Sequence, residues 1–222
     1  MYKRQVDALF VGKIETWDEI KNDLSDEMPI IRFPKYDGCS DVTKGYEWHE
    51  FINNHDPIQN PHTPKLSDLW TIIFTSGTTG NPKGVMLTYQ AIDGIKVVLD
   101  DPNNPLGIKH TGNNDFISYL PLNHIFERVV IEWCSFRYGG TISFVESIEK
   151  FGQNLKSVQP HVFAAAPRVW TKLQMGILSK FPQKRLDTLL KIPILSSILK
   201  KLIRKGLGFS KVRVTVSGSA PM

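Results

Sequence analysis

The segment 75–84, which reads TSGTTGNPKG, contains the residue types best suited to chemistry in this sequence. Its glycines let the backbone approach a ligand without Cβ clashes. Its hydroxyls and backbone N–H groups can converge on phosphate oxygens, and Lys83 adds a fixed positive charge. The pattern predicts a polyphosphate-binding loop, with contacts from Thr75, Ser76, Gly77, Thr78, Thr79, Gly80 and Lys83.

This loop differs from the common P-loop, in which Lys-Ser or Lys-Thr follows the last glycine directly and opens a helix. Here Asn81 and Pro82 separate Gly80 from Lys83, and the proline removes a backbone donor. The residues alone leave two alternatives open, a ligand-free hairpin loop between two strands and a generic nucleotide triphosphatase. The interruption by Pro82 counts against the triphosphatase.

The loop is expected to lie between strands. The apolar, β-branched run Leu69–Phe74 predicts a strand covered on both faces, and Gly84–Leu87 predicts a second one. Thr88 is expected to cap the helix that follows. A later strand, Asp115–Leu120, leads into the exit loop Pro121–His124. Ligands of open α/β sheets bind at the carboxyl ends of strands, where both loops are expected.

Short strands alternate with helices, which predicts an α/β fold with parallel-rich sheets flanked by helices. The proline-rich segment 56–64 is the best linker candidate in the 222 residues. We expect residues 1–64 to be the end of a preceding α/β subdomain plus this linker. Residues 65–222 are expected to hold the phosphate loop, and the turn-rich segment 100–114 is expected at the surface.

Charge is distributed unevenly along the chain, although the net charge is only +5. Residues 1–150 contain 14 Lys/Arg and 21 Asp/Glu, whereas residues 151–222 contain 13 Lys/Arg and Asp187 alone. This basic part predicts a solvated basic face or an anionic partner: nucleotide, CoA, a membrane surface or nucleic acid. No nucleic acid is expected, because neither a nucleic-acid motif nor an ordered pattern of stacking aromatics accompanies the charge.

The segment 183–207 combines Leu and Ile residues near helical spacing with frequent Lys and Arg residues. A basic amphipathic helix can lie on an anionic bilayer, although most apolar stripes pack on a core. Pro193 is expected to break the segment into two pieces. The segment therefore predicts either core packing or a peripheral membrane contact. A pure membrane-surface-binding module is the rival to an enzyme, and the loop 75–84 counts against it.

Cysteine usage and hydropathy bear on location. Cys39 and Cys134 are isolated and form no CxxC pair, so a reduced cytoplasmic setting is expected. The sequence contains no run long enough to span a membrane, and its first residues lack the apolar core of a signal peptide. We expect a cytoplasmic protein. The alternative prediction is a cytoplasmic protein that associates with a membrane through residues 183–207.

The order TSGTTG followed by Lys-Gly resembles the phosphate-binding loop of the adenylate-forming enzymes, which include acyl-CoA synthetases, luciferases and adenylation domains of peptide synthetases. Segment 119–128 (YLPLNHIFER) resembles the second motif of the family, in its long-chain fatty acyl-CoA synthetase form. Segment 163–170 (FAAAPRVW) resembles the PRVW segment of that subgroup, and 217–221 (SGSAP) resembles the family's adenine loop.

This resemblance implies a site and a reaction. His124 would be the catalytic residue beside the acyl carboxylate, and Thr75 would lie near Mg2+. The implied enzyme uses ATP, Mg2+ and CoA to convert a long-chain fatty acid first to acyl-adenylate and then to acyl-CoA, releasing pyrophosphate and AMP. Another acid-activating enzyme of the family is the alternative. The adenine of ATP would lie against Gly218, Ser219, Ala220 and Pro221.

The resemblance also implies parts that these 222 residues do not contain. Family members carry an acidic Mg2+ ligand in a Tyr-Gly-x-Thr-Glu segment, an aspartate that holds the ribose, and a small C-terminal domain with the catalytic lysine. We therefore expect an internal fragment of a long-chain-fatty-acid–CoA ligase. Alone, this fragment is expected to lack the complete reaction.

Overall fold

The computed structural model describes residues 6–12, 14–35, 37, 39–75, 82–101, 108 and 112–218. The chain divides into two compact units, Met1–Thr63 and Pro64–Met222. Parallel strands connected through helices occur in both units, which confirms the predicted α/β fold class.

The first unit contains a three-stranded parallel sheet in the order β1-β2-β3. Parallel neighbours need a crossover connection, and helical turns between the first two strands provide it. Trp17 from this crossover is buried with Val11 and Ile30 from the strands. The elements are β1 Leu9–Val11, α1 Trp17–Ile20, a 3-10 turn Lys21–Asp23, β2 Ile30–Arg32, β3 Tyr46–Glu47 and α2 Trp48–Asn53.

The second unit contains a β-hairpin and a four-stranded parallel sheet in the order β7-β6-β8-β9. Its strands are β4 Leu69–Thr75, β5 Lys83–Thr88, β6 Asp115–Ser118, β7 Thr141–Phe144, β8 Val162–Ala165 and β9 Val214–Ser217. Its helices are α3 Tyr89–Leu99, a π-helical segment Glu127–Trp133, α4 Cys134–Tyr138, α5 Phe151–Val158, α6 Pro167–Leu178, α7 Gln183–Leu190 and α8 Pro193–Leu207.

The four-stranded sheet is covered on both faces. Side chains alternate across a strand, so neighbouring residues of β6 enter different cores. Phe116 packs with Ile131 and Cys134 on one face, whereas Ile117 packs with Leu155 and Phe209 on the other. All four residues of β8 are buried, as expected for a strand enclosed by neighbours and by helices on both faces.

The hairpin corrects the prediction of a strand covered on both faces at Leu69–Phe74. β4 pairs antiparallel with β5, and its burial alternates along the strand. Thr71 and Ile73 are buried, whereas 60% of Phe74 is exposed. The phosphate-loop segment therefore connects the two strands of a hairpin. Thr88 lies at the predicted start of α3, but its side chain makes no capping hydrogen bond.

The prediction that segment 100–114 lies at the surface is wrong at two described positions. Ile108 enters the core, and the side chain of Asn114 is buried. The Asn114 amide donates to the carbonyls of Tyr138 (3.3 Å) and Gly139 (3.1 Å), so it satisfies the end of α4. A turn-forming residue type thus serves here as an internal hydrogen-bonding group.

The predicted break at Pro193 is confirmed, because α7 ends at Leu190 and Pro193 is the first residue of α8. α8 ends at Leu207, and the capping residue Gly208 has a positive φ of 80°. The Gly208 amide donates to the Lys205 carbonyl, and the Phe209 amide donates to the Arg204 carbonyl. This pattern is a Schellman motif, and Phe209 is buried beside it. No helix among the described residues is long and apolar enough to span a membrane.

We expect Gly208→Ala to destabilise the chain by about 1–3 kcal/mol, because the left-handed conformation is strained for alanine. The new Cβ would also lie 2.4 Å from the Leu155 carbonyl oxygen. The matched control is Gly206→Ala in the same helix, where a Cβ meets nothing within 4 Å. This control is expected to stabilise α8 by about 0.5–1 kcal/mol. Urea denaturation of both variants checks the pair, and equal midpoints would contradict it.

Candidate functional site

Two predicted phosphate ligands, Thr75 and Lys83, lie directly opposite each other at the end of the hairpin where the loop joins its two strands. Opposed residues of an antiparallel pair project their side chains to the same face. Both residues are exposed, and the Thr75 hydroxyl donates to the Lys83 carbonyl at 3.5 Å. The remaining predicted ligands lie outside the described residues. They are Ser76, Gly77, Thr78, Thr79 and Gly80.

The side chains at this end of the hairpin are suited to a polyphosphate with bound Mg2+. Mg2+ is commonly held by one or two protein oxygens together with substrate phosphates. The Thr75 hydroxyl can supply one such oxygen. The Lys83 ammonium can neutralise phosphate charge, and it does not act as a ligand to the Mg2+. Among the described residues no cluster of three His, Cys, Asp or Glu side chains could hold a metal ion alone. The donor set therefore fits a Mg2+ bound with a polyphosphate.

His124 lies at the N-terminal end of the helical region that follows β6. Its ring Nδ1 accepts the Phe126 amide at 3.2 Å, and its backbone carbonyl accepts the amides of Glu127 and Arg128. A histidine that accepts at Nδ1 carries its hydrogen at Nε2 when neutral. Because the residue is exposed, this Nε2–H can donate to a carboxylate or phosphate oxygen in solvent.

Glu127 is the most buried charged residue of this region, with 1% of its surface exposed. Burial raises the pKa of its carboxyl. The Ser118 hydroxyl and the amides of Tyr119 and Leu120 donate to it and partly oppose that increase. Its Oε1 atom has no hydrogen-bond partner among the described residues. The carboxyl thus holds the start of the helix against the carboxyl end of β6.

Arg128 connects the same helix to the hairpin. One guanidinium nitrogen, Nη1, donates to both oxygens of Glu132 at 3.1 and 2.9 Å, and Nη2 donates to the Thr71 hydroxyl at 3.1 Å. The guanidinium carbon lies 5.8 Å from the centre of the Trp70 ring, within the range of a cation–π contact. Arg128 therefore fixes β4, which ends at Thr75, to the helix that begins after His124.

The carboxyl end of β9 lies beside this helix. A Cβ added at Gly218 would lie 3.4 Å from Cε2 of Phe126, which is ordinary contact distance. Of the predicted adenine contacts, Gly218 is therefore placed next to the His124 segment. Ser219, Ala220 and Pro221 lie outside the described residues.

Sequence reasoning did not assign roles to Thr71, Glu127 or Arg128. Glu127 and Arg128 end the segment YLPLNHIFER, so a charged pair directly after the predicted catalytic histidine was an available signal. Thr71 gave no signal, because it stands in an apolar strand. The helix from Glu127 to Trp133 is π-helical, a rare form that often occurs at functional sites.

Comparison with known proteins identifies the family of this chain. The family model described as AMP-binding enzyme matches residues 4–222, nearly the whole chain. The chain belongs to the AMP-binding enzyme family. This family is the acid-activating, adenylate-forming group that the sequence motifs resemble, so that prediction is confirmed.

Two curated relatives belong to the long-chain branch of the AMP-binding enzymes. Long chain acyl-CoA synthetase 4 of Arabidopsis thaliana is 31% identical over 204 residues, which are 80% of this chain and 30% of that protein. Long-chain-fatty-acid–CoA ligase 5 of Rattus norvegicus is 34% identical over 198 residues, 78% of this chain and 29% of that protein. The chain thus spans about 30% of the length of these relatives.

The fold also matches the solved structure of an ATP-bound RpMatB-BxBclM chimera, which superposes with a TM-score of 0.60 at 19% identity. The match covers 97% of this chain and 35% of the chimera. At this identity the likeness concerns the fold alone.

Glu127→Gln tests the buried carboxyl. The pKa of the Glu127 carboxyl is raised in the folded state from its ordinary value of 4.5. As the pH rises above 4.5, the unfolded chain therefore releases a proton that the folded wild type still retains. Wild-type stability is therefore lost with rising pH until the raised pKa is passed, and neutral glutamine removes this loss. We expect the melting temperature of Glu127→Gln, relative to wild type, to increase from pH 4 towards neutrality.

The exposed Glu15 gives the matched control, since Glu15→Gln changes the same functional group at the surface. Thermal melts of all three proteins across the pH series measure the difference. A Glu127→Gln variant that tracks wild type at every pH would mean that the carboxyl ionises as freely folded as unfolded.

Proposed function

We propose that this chain is the phosphate-binding part of a long-chain-fatty-acid–CoA ligase. In the proposed reaction a fatty acid carboxylate oxygen attacks the α-phosphate of ATP, and the bond to pyrophosphate breaks. The thiol of CoA then forms a bond to the acyl carbon of the adenylate, and the bond to AMP breaks. The 31–34% identity to long-chain enzymes supports this substrate class.

The connection made by Arg128 supports the proposal most directly. It joins β4, which ends at Thr75, to the helix that begins after His124. The group proposed to hold departing pyrophosphate and the group proposed to orient the carboxylate are thus built on one connected body. Pre-positioned groups of this kind lower the entropy cost of bringing carboxylate and phosphate together.

Each proposed role follows from the chemistry of the side chain. Lys83 would neutralise charge that accumulates on the leaving pyrophosphate, and Thr75 would supply an oxygen ligand to a Mg2+ bound with the phosphates. The bound Mg2+ would supply charge neutralisation at the phosphates. His124 donates its Nε2–H to the acid, because Nδ1 is already occupied by the Phe126 amide. The fragment is proposed to need the remaining ligase sequence for turnover.

Location and membrane contact are proposals of the same kind. Long-chain acids partition into membranes, so we propose a cytoplasmic enzyme that contacts a lipid surface peripherally while it takes up its acid. The basic balance of residues 151–222 supports an anionic surface as that partner.

The substrate class is tested with the complete ligase that contains this chain. With ATP and hydroxylamine, a ladder of fatty acids is expected to give acyl-hydroxamate for long chains and little for acetate. Product from acetate or aromatic acids with none from long chains would overturn the long-chain assignment. It would favour another acid-activating enzyme of the family.

Lys83→Ala tests the phosphate cradle in the same complete enzyme. Loss of one charge-assisted contact at the leaving group is expected to slow acid-dependent ATP–pyrophosphate exchange by about a hundredfold. Folding should be unaffected, since Lys83 is exposed. Lys65→Ala is the matched control, because it removes the same charge from an exposed position before β4. Equal exchange rates for the two variants would remove Lys83 from the site.

A further inference from the structure

Helix α8 has two apolar sides, of which the core uses one. Ser196 and Leu199 are buried at 7% exposure each, and Ile203 and Leu207 follow them on the same side at four-residue spacing. This side anchors α8 to the unit. The predicted core packing of segment 183–207 is therefore correct for one side of this helix.

The neighbouring side of the helix, here named the α8 outer face, is formed by Ile194, Leu195, Ile198 and Leu202. Their exposed fractions are 75%, 41%, 52% and 58%. Ile194, Ile198 and Leu202 are spaced by four residues, so they form a continuous row along the helix. A contiguous row of exposed branched side chains is costly in water and marks a surface that binds an apolar partner.

Lysines accompany this row. Lys191 stands three and four residues before Ile194 and Leu195, whereas Lys201 and Lys205 stand three and seven residues after Ile198. The spacings of Lys201 and Lys205 place their side chains along the same side of the helix, and Lys191 lies in the turn just before α8 begins. All three lysines are exposed, α8 contains no acidic residue, and the chain contains none after Asp187.

We propose that the α8 outer face docks on an anionic lipid bilayer, with its isoleucine and leucine side chains at the acyl boundary and its lysines at the headgroups. The inference deepens the proposed function, because it names the surface and the lipid charge that a long-chain acid-activating enzyme would use. Charge complementarity selects this occupant. Lysine stems can also lie along apolar surface while their ammonium groups reach anionic headgroups.

Two other occupants fit less well. Nucleic acid would use the lysines, but it offers nothing to a row of four aliphatic side chains, and α8 has no aromatic residue on which bases could stack. A second copy of this chain would bury the row, but it would bring the lysines of two α8 helices together and create repulsion. A bilayer with acidic headgroups satisfies both the apolar and the basic groups.

Vesicle sedimentation of this chain tests the proposal without ATP, acid or CoA, so its outcome does not depend on the adenylation reaction. The chain is expected to bind phosphatidylcholine–phosphatidylserine vesicles more tightly than phosphatidylcholine alone, and binding should weaken with added salt. In Lys191→Gln/Lys201→Gln/Lys205→Gln, partition into the acidic vesicles should fall about fivefold for each lysine. In Ile194→Ser/Ile198→Ser/Leu202→Ser it should fall roughly tenfold for each residue.

Matched controls change exposed residues outside α8. Ile148, which is 82% exposed, gives Ile148→Ser, and the exposed Lys65 gives Lys65→Gln. Both controls should bind as wild type does, and circular dichroism should show all variants folded, since every altered residue is exposed. Loss of partition in both α8 variants with retention in both controls supports the proposal.

Three results would overturn it: no binding to acidic vesicles, binding that both α8 variants retain, or the same partition to vesicles with and without phosphatidylserine. Size-exclusion chromatography tests the other possible occupant of the α8 outer face, a second copy of this chain. A dimer that dissociates in the triple serine variant would assign the α8 outer face to a second copy, and the lipid proposal would then be wrong. A failed hydroxamate assay beside positive vesicle binding would remove the substrate proposal and leave the docking surface intact.

Discussion

The guanidinium of Arg128 is the interaction on which the rest of the second unit's site depends. A charged group removed from water is costly unless its hydrogen bonds and charge are matched. Glu132 supplies the charge, the Thr71 hydroxyl accepts a further N–H, and the ring of Trp70 lies under the planar group. These partners come from a strand and a helix far apart in sequence. The hairpin and the helix must therefore keep one relative position for the Nη1 and Nη2 hydrogen bonds of the guanidinium to persist.

Glu127, the residue before Arg128, contacts a different part of the second unit. Glu127 points into the end of β6, where the Ser118 hydroxyl and two backbone amides donate to its carboxyl. A single helical turn thus fixes the exit of one strand through Glu127 and the hairpin through Arg128. His124 stands at the start of this turn, and its ring orientation is set by the Phe126 amide. The geometry of the proposed site is consequently a property of neighbouring residues in one short segment.

The elements that the sequence predicted well are those with local causes. Pro193 breaks a helix because of its own ring, and the predicted strand Asp115–Leu120 forms β6 at Asp115–Ser118. The features that sequence did not predict are non-local. The bond between Arg128 and Thr71 joins residues 57 positions apart, and the burial of Asn114 follows from carbonyls at the end of a later helix. The sequence predicted both strands of the hairpin, but the exposure of one face of β4 depends on which other elements pack against it.

The turn after α8 has a mechanical consequence. Arg204 near the end of α8 donates through Nε to the Phe209 carbonyl at 3.2 Å and through Nη2 to the Val212 carbonyl at 2.6 Å. Together with the Schellman hydrogen bonds at Gly208, these contacts restrict changes in the angle between the axis of α8 and strand β9. A planar surface that binds α8 would then lie at a fixed angle to the four-stranded parallel sheet. The second unit would therefore adopt one orientation on such a surface, because the segment between α8 and β9 could not act as a hinge.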